Sequence, residues 1–424
     1  MTIRRCLVTS LFTLGLGGWV GCIHIPPVIV PEIDYGAGEL GELLDLYTDS
    51  WVDHGNTMEL LLDGEQAYPA FRGLIENARE HIHIETLVFD NDTNRRPDLG
   101  MEFAQLLADK AEQGVEVKII ADKIAQRYAS TEEINQLLRK SKVNIRYYFG
   151  PGAWPFQRTL YRQHKKILIV DGRTAIIGGM NYGTRYLGNE QWRDSNVLLT
   201  GPVVASVQGE FLRDWEELDG PVADPARYFP PLAPTGDLGV RIVDQRPLAG
   251  DFSMNYAVTI ALHLARRSVL IEAPYFNPSD DLLAELLAAA ARGVDVCILT
   301  NDLDSMDIAD AFYQAAYWFE TLLDGGVRVF LWQRAPRTMH SKAMVVDDDF
   351  AMISSYNFNL RSILWDTENA AIFHDPPAVE AVRQMIEDDL DAEWTREIDA
   401  AWIAEQPEEV WETARRLHAL RWFY

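Results

Sequence analysis

Short apolar runs alternate with amphipathic stretches along most of the chain, and the alternation occurs twice. Residues 81–89, HIHIETLVF, and 268–275, SVLIEAPY, both read as strands. Each precedes an amphipathic helix, near 99–113 and near 281–292, which ends at a glycine before the next strand: GVEVKIIAD at 114–122 and GVDVCILTND at 293–302. Glycine suits that stop because a left-handed backbone carries no Cβ penalty there. A further helix follows in each half, the first opened by the capping box Ser130-Thr-Glu-Glu133. Then come VNIRYYF (143–149) and VRVFLWQ (327–333), again strand-like, the second behind Gly325-Gly326. Strands alternating with helices predict an α/β class with covered sheets, and the repetition predicts two like lobes forming one bilobal unit.

The segment 220–238 holds five prolines and reads as a linker between a first lobe over 58–219 and a second over 239–424. Residues 23–57, with Pro26, Pro27 and Pro31, read as a tether and lead-in. The final stretch EVWETARRLHALRWFY (409–424) is an amphipathic helix that either packs on the body or lies at a membrane interface. Ahead of all this, Arg4 and Arg5 precede the apolar run 7–20 and Gly21-Cys22. That leader (1–22) reads as a secretory signal with a lipobox that makes Cys22 the lipidated residue, or as an uncleaved anchor. Either way it points to a membrane-tethered protein in the bacterial cell envelope, outside the cytoplasm.

Composition narrows the chemistry. An apolar fraction of 48% in 424 residues supports an ample core. The formal charge of −26 disfavours nucleic acid as a partner, because affinity for that polyanion comes largely from Lys and Arg, though a local basic cleft is compatible with it. The three cysteines, Cys6, Cys22 and Cys297, have no zinc-type spacing, and two lie in the leader.

One element stands out in each half: YRQHKKILIVDGRTAIIGGMN (161–181) and RTMHSKAMVVDDDFAMISSYN (337–357). Both fit H-x-K-x4-D, giving His164, Lys166 and Asp171, then His340, Lys342 and Asp347. Both place an asparagine 17 residues after the histidine, Asn181 and Asn357, and a carboxylate about thirty residues on, Asp194 and Glu368. On a strand, His and Lys two apart share a face and can enter one cleft, while the apolar residues between Lys and Asp supply sheet core.

With HKKILIVDG, IIGGMN and WRD in the first half, and APYFNP, RGVDV, HSKAMVVDD, SSYNFNLRS and TEN in the second, the chain resembles the phospholipase D superfamily and is similar to bacterial cardiolipin synthases over roughly residues 65–395. Ser354 departs from the family's usual glycine. The resemblance implies two phospholipase D-like α/β/α lobes and phosphodiester chemistry with no metal and no cofactor. One neutral imidazole attacks phosphorus, and the other protonates the leaving alcohol and then deprotonates the acceptor. Precedent in the family leans to His164 as nucleophile. Lys166, Lys342, Asn181 and Asn357 hold the phosphate oxygens, and Asp194 and Glu368 hydrogen-bond the far ring nitrogens. Asp171 and Asp347 complete the motif and suit holding strand ends.

Arg158, Arg162 and Lys165 beside His164 suggest a positive patch for lipid phosphate, or an ordinary solvated turn. His81, His83 and Glu85 alternate on one strand like metal ligands, but no further ligand joins them; Glu85 and its counterpart Glu272 read instead as lining the cleft. The leading expectation is phosphatidyl transfer, with a lipid such as phosphatidylglycerol as partner and the membrane as setting. The alternatives are a phospholipase or nuclease using water as acceptor, and an envelope-anchored scaffold with a degenerate site.

Overall fold

The computed structural model describes residues 32–91, 97–129, 132–150, 159–188 and 191–423. The leader with Cys22, Ser130 of the expected capping box, and Arg158 lie outside the described residues. The chain divides into two units, residues 1–34 and Tyr35–Tyr424, and all the elements that follow belong to the second.

Fifteen strands form one continuous path: β1 (Val52–Leu62), β2 (His81–Thr86), β3 (Glu116–Asp122), β4 (Asn144–Tyr148), β5 (Ile167–Val170), β6 (Thr174–Gly178), β7 (Ser195–Thr200), β8 (Leu238–Gln245), β9 (Ser268–Glu272), β10 (Asp295–Asn301), β11 (Arg328–Trp332), β12 (Ala343–Val346), β13 (Phe350–Ser354), β14 (Asp366–Phe373) and β15 (Thr395–Ile398). Their spatial order is β15-β11-β10-β9-β12-β13-β14-β8-β1-β7-β6-β5-β2-β3-β4, with the short strand Arg162–Gln163 pairing beside β14. From the β1–β8 seam outward, each half runs through the same succession. In both, three parallel strands (β2, β3 and β4; β9, β10 and β11) lie away from the seam, with three antiparallel ones between them and β1 or β8, and the second half adds β15 antiparallel outside β11. The repeated text is thus a repeated sheet order. It begins earlier than the motifs suggest, since β1 starts at Val52 and pairs with both β7 and β8.

Helices cover the sheet: α1 (Leu99–Glu112), α2 (Lys123–Ala129), α3 (Glu132–Lys140), α4 (Val203–Glu217), α5 (Asp280–Ala291), α6 (Ala309–Asp324), α7 (Pro376–Leu390) and α8 (Glu408–His418). Gly114 and Gly293, which end α1 and α5, take φ of 96° and 89°, a region other residues rarely adopt. One apolar cluster spans both halves, joining Val197, Val240, Leu299, Val345 and Phe373 to α4 and α7; a second fills the other face of the first half around Phe103, Ile82 and Ile119. The C-terminal segment packs on the body: Gln314 donates to the Leu417 carbonyl at 2.7 Å, and Trp365 Nε1 donates to the Trp422 carbonyl at 2.8 Å. Among the described residues no helix is long and apolar enough to cross a membrane.

The two motif aspartates close the same turn twice. Asp171 accepts the backbone N–H groups of Arg79, Glu80 and His81, and Asp347 those of Arg266, Arg267 and Ser268, tying the end of β5 or β12 to the start of β2 or β9. Both have positive φ, 53° and 46°, which Asp and Asn tolerate better than Ala. Asp347→Asn keeps the backbone preference but loses the charge, whereas Asp347→Ala loses both. The expected cost is about 1–2 kcal/mol for Asn and about 3 kcal/mol for Ala, read by chemical denaturation; a cost for Asn below about 0.3 kcal/mol would refute the charge-assisted cap.

Candidate active site

Sheet edges bring the two motifs together by crossing the halves. Arg162–Gln163 pairs with Asp366–Thr367, and the backbone N–H of His164 donates to the Thr367 carbonyl at 3.2 Å. Arg193 bridges to Met339 in the same sense, and the His340 N–H donates to the Arg193 carbonyl at 2.6 Å. One residue further along, each strand presents its carboxylate to the same histidine. His164 Nδ1 lies 3.0 Å from both oxygens of Glu368, and His340 Nδ1 lies 2.7 Å from Asp194 Oδ2. Each imidazole is therefore gripped twice, by backbone and side chain, and always by the opposite half.

The carboxylates are themselves fixed. Glu368 accepts from Ser362 Oγ at 2.6 Å and from Ser355 Oγ. Asp194 accepts the Ser195 N–H at 2.8 Å, and its own N–H donates to Asp63. A Cβ on Gly179 would lie 2.1 Å from Asp194 Oδ1, so that glycine makes room for the carboxylate; at the corresponding place Ser355 hydrogen-bonds Glu368 instead. Ser354, also in place of a glycine, donates to the Lys342 carbonyl at 3.1 Å.

All of this is buried, and burial sets the charges. It pushes His340 down to about 3, with Lys342 adding to the shift and Asp194 opposing it, and holds His164 well below the usual imidazole range. Burial also lowers Lys166 to about 8 and Lys342 to about 7, and lifts Glu368 to about 7. Each lysine also acts on the other half's histidine, so the four groups form one electrostatic unit. Each lysine donates to the backbone carbonyl of its own motif histidine. Asn181 accepts from Thr86 Oγ1 and the Leu87 N–H through Oδ1, which leaves its amide donors unused by those bonds; Asn357 is buried, and its Oδ1 has no partner among the described residues.

The halves also differ beside the two rings. Two residues before each carboxylate, on the same strand face, the first half has Trp192 and the second Asp366. The Trp192 ring lies 4.9 Å from His340, with Tyr186 at 5.5 Å and Tyr275 at 5.8 Å, whereas an Asp366 oxygen lies within 4.8 Å of a ring nitrogen of His164. His164, Asp366 and Glu368 could by spacing surround a cation, but Glu368 is committed to His164 and two serines, and Asp366 pairs with Arg361 at 3.0 Å. Those commitments favour positioning over metal ligation.

Of the expected positive patch, the two described members, Arg162 and Lys165, are both paired with carboxylates. Lys165 points away from solvent into Glu210, Asp214 and Asp244, the last two at 2.5 Å, and Arg162 bonds Asp122 at 2.8 Å. Alternation along the strand puts Lys165 on the face opposite His164 and Lys166, which is why a charged neighbour in sequence is no neighbour in the site. Burial opposes its charge, yet those carboxylates hold its pKa well above the usual value. Glu85 and Glu272 are likewise fully buried, beside Lys165 and Arg193 rather than lining the cleft. His81 and His83 pack against Tyr228 and Phe211, and His83 shares a hydrogen bond with Gln208. Sequence reasoning passed over Asp63, which holds Arg193 and Arg337, because nothing in its surroundings marks it. Trp192 and Ser355 were within the quoted motifs but carried no visible role.

Residues 71–215 and 258–390, more than half of the chain, match the family described as cardiolipin synthase, PLD-like domain. The chain is 31% identical over 339 residues to cardiolipin synthase 2 of Bacillus cereus, covering 78% of this chain and 64% of that protein. It is 31% identical over 343 residues to a cardiolipin synthase of Geobacillus kaustophilus, with 78% and 65% covered. The chain thus spans less than two thirds of the length of these relatives. Among solved structures, phosphatidylserine synthase of Haemophilus influenzae Rd KW20 matches with a TM-score of 0.68 at 17% identity, over 87% of this chain and 95% of that one, which shows a shared fold.

The Lys165 cluster generates a stability prediction. Lys165→Met removes the one cation shared by Glu210, Asp214 and Asp244, leaving Arg213 and Arg246 on Asp244 alone, and unfolding free energy should fall by about 3–5 kcal/mol in denaturant titration at neutral pH. A change below about 1 kcal/mol would show that the buried charges are not coupled as the geometry requires.

Proposed function

The chain belongs to the cardiolipin synthase, PLD-like domain family of the phospholipase D superfamily, and from that premise we propose that it moves a phosphatidyl group between glycerophospholipids through a phosphohistidine, with no metal. The observation that carries this reading is the crossed pairing of His164 with Glu368 and His340 with Asp194. A carboxylate at Nδ1 keeps the proton on that nitrogen, so Nε2 of each ring is left as the reacting atom.

His164 Nε2 attacks phosphorus of a phosphatidylglycerol-type donor, the bond to the glycerol oxygen breaks, and His340 supplies that oxygen's proton. His340 then removes the proton of an acceptor lipid's hydroxyl, whose oxygen attacks phosphorus and releases His164. Both rings are neutral at rest, which suits the nucleophile. The acid needs its proton, and the anionic phosphodiester supplies the negative charge that favours it. Lys166, Lys342, Asn181 and Asn357 surround the phosphate oxygens and offset their charge as the five-coordinate phosphorus forms. Asp194 and Glu368 orient the rings, and Asp171 and Asp347 hold the strands that carry them.

Hydrolysis differs only in taking water as acceptor. The acidic chain and the family's name favour a lipid, and the leader, with Arg4, Arg5 and Cys22, supports tethering to the cell envelope as a lipoprotein or by an uncleaved anchor. Lobe limits near 58–219 and 239–424, joined by 220–238, fit the repeated sheet order, with β1 added to the first.

Detergent-solubilised protein is to be incubated with phosphatidylglycerol in chelator, beside His164→Ala and His340→Ala. Cardiolipin and free glycerol from the unmodified protein, with turnover reduced about 10³-fold or more in each variant, is the expected result. Phosphatidic acid as sole product would replace transfer by hydrolysis, and inhibition by chelator would refute metal independence. A second measurement follows from the lysines: they carry charge below their pKa values of about 7 and 8 and lose it above. kcat/KM should therefore fall as pH rises through about 7 to 8; a flat profile to pH 10 would refute their role.

A further inference from the structure

A cavity of about 400 Å³ lies beyond the reacting groups, lined by residues of α2, α3 and β4. Lys123 and Arg127 come from one face of α2, four residues apart, and Arg139 comes from α3. Among the described residues Glu132 is the one carboxylate on the lining, and Arg139 already pairs with it at 2.5 Å. A chain with 38 basic and 64 acidic residues would place acids at most surfaces, so three cations against one acid is a local reversal of sign.

The neutral lining residues also offer donors. Gln126 is 1% exposed; its Oε1 accepts the Phe89 N–H at 2.9 Å, which settles which end of the amide is oxygen and turns the NH2 group the other way. That Nε2 has no partner among the described residues, and a buried amide donor without an acceptor is costly. Tyr147 donates to Asn135 Oδ1 at 3.3 Å, leaving the Asn135 NH2 as a further donor on the lining. Ammonium, guanidinium and amide donors converging on one cavity match a tetrahedral oxyanion.

Its place in the fold ties it to the reaction edge. β3 is parallel to β2 and β5 antiparallel to it, so the Asp122 end of β3 and the His164 end of β5 share one edge of the sheet. Asp122 accepts from the N–H groups of Ile124 and Ala125 at the start of α2, and from Arg162 and the Gln163 N–H next to His164.

We propose that this cavity binds a phosphate group, carried by an anionic lipid headgroup or free in solution, as a site separate from the reacting centre. Lys123 and Arg127 are exposed helix positions, so Lys123→Gln/Arg127→Gln tests the charge with little risk to folding. Gln126→Glu keeps the acceptor for Phe89 and replaces the donor with a negative oxygen. Each full-length variant is compared with unmodified protein by calorimetric titration with inorganic phosphate. Each is also compared by cosedimentation with phosphatidylcholine vesicles, with and without phosphatidylglycerol.

Weakening of about tenfold or more in both variants supports the site. Loss in the phosphate arm alone assigns it to free phosphate, and loss in the phosphatidylglycerol arm assigns it to the headgroup. Turnover of a short-chain soluble phosphodiester should stay within about twofold, because His164 and His340 are untouched. Unchanged binding in both arms overturns the proposal, and so does a parallel collapse of that turnover, which would move the effect to the reacting centre.

Discussion

Everything in this molecule turns on one exchange: each motif histidine takes its orientation from the other half of the chain. His164 is fixed by Thr367 and Glu368, and His340 by Arg193 and Asp194. Neither half alone has an oriented imidazole, so the duplication is an obligate one. The seam where β1 pairs with β8 has to hold the halves in register. Asp63 adds to this by taking Arg337 of the second half and Arg193 of the first. A loss at the seam would therefore cost both histidines at once, where damage within one strand costs one.

The approximate twofold arrangement is broken where the chemistry needs it broken. In-line displacement requires two imidazoles with different duties, and two identical environments would give them equal basicity. Trp192, Tyr186 and Tyr275 place aromatic rings around His340, while Asp366 and Arg361 put a charged pair beside His164. In the proposed reaction, the different surroundings separate the duties of the two rings, and a second carboxylate near His164 suits a ring that gains positive charge as it bonds to phosphorus.

Much of this could be read from the residues. The strand periods, the glycine stops at 114 and 293 and the two H-x-K-x4-D motifs mark local geometry, and local geometry is what spacing encodes. The α/β class and the shared face of His164 with Lys166, and of His340 with Lys342, follow from it, while the meeting of the two motifs is implied by the resemblance to the phospholipase D superfamily. What spacing cannot encode is pairing between strands far apart in sequence. Asp194 and Glu368 stood out as partners for rings, but which ring each reaches depends on the crossed bridges at 162–163 and 193. Lys165 shows the opposite failure: a lysine beside a motif histidine looks like part of the site until strand alternation turns it into the core. The lead-in likewise conceals β1, whose sequence VDHGNTMELLL begins with polar residues and carries a bulge between Asp53 and Asn56.

Electrostatics links these features to the substrate. Lys166 and Lys342 lie deep in the protein with pKa values brought down to about 8 and 7, and Glu368 is raised to about 7, so near neutrality the site is balanced between charge states. Such a site is incomplete in the electrostatic sense. An anion entering it restores full charge to both lysines and favours a proton on one imidazole. On a chain with net charge −26, the average long-range field opposes delivery of that anion. Under the proposed function, selectivity for a phosphodiester would come from short-range donors that are ready only when the anion is in place, which is also the condition under which binding energy goes to the transition state rather than to the resting complex.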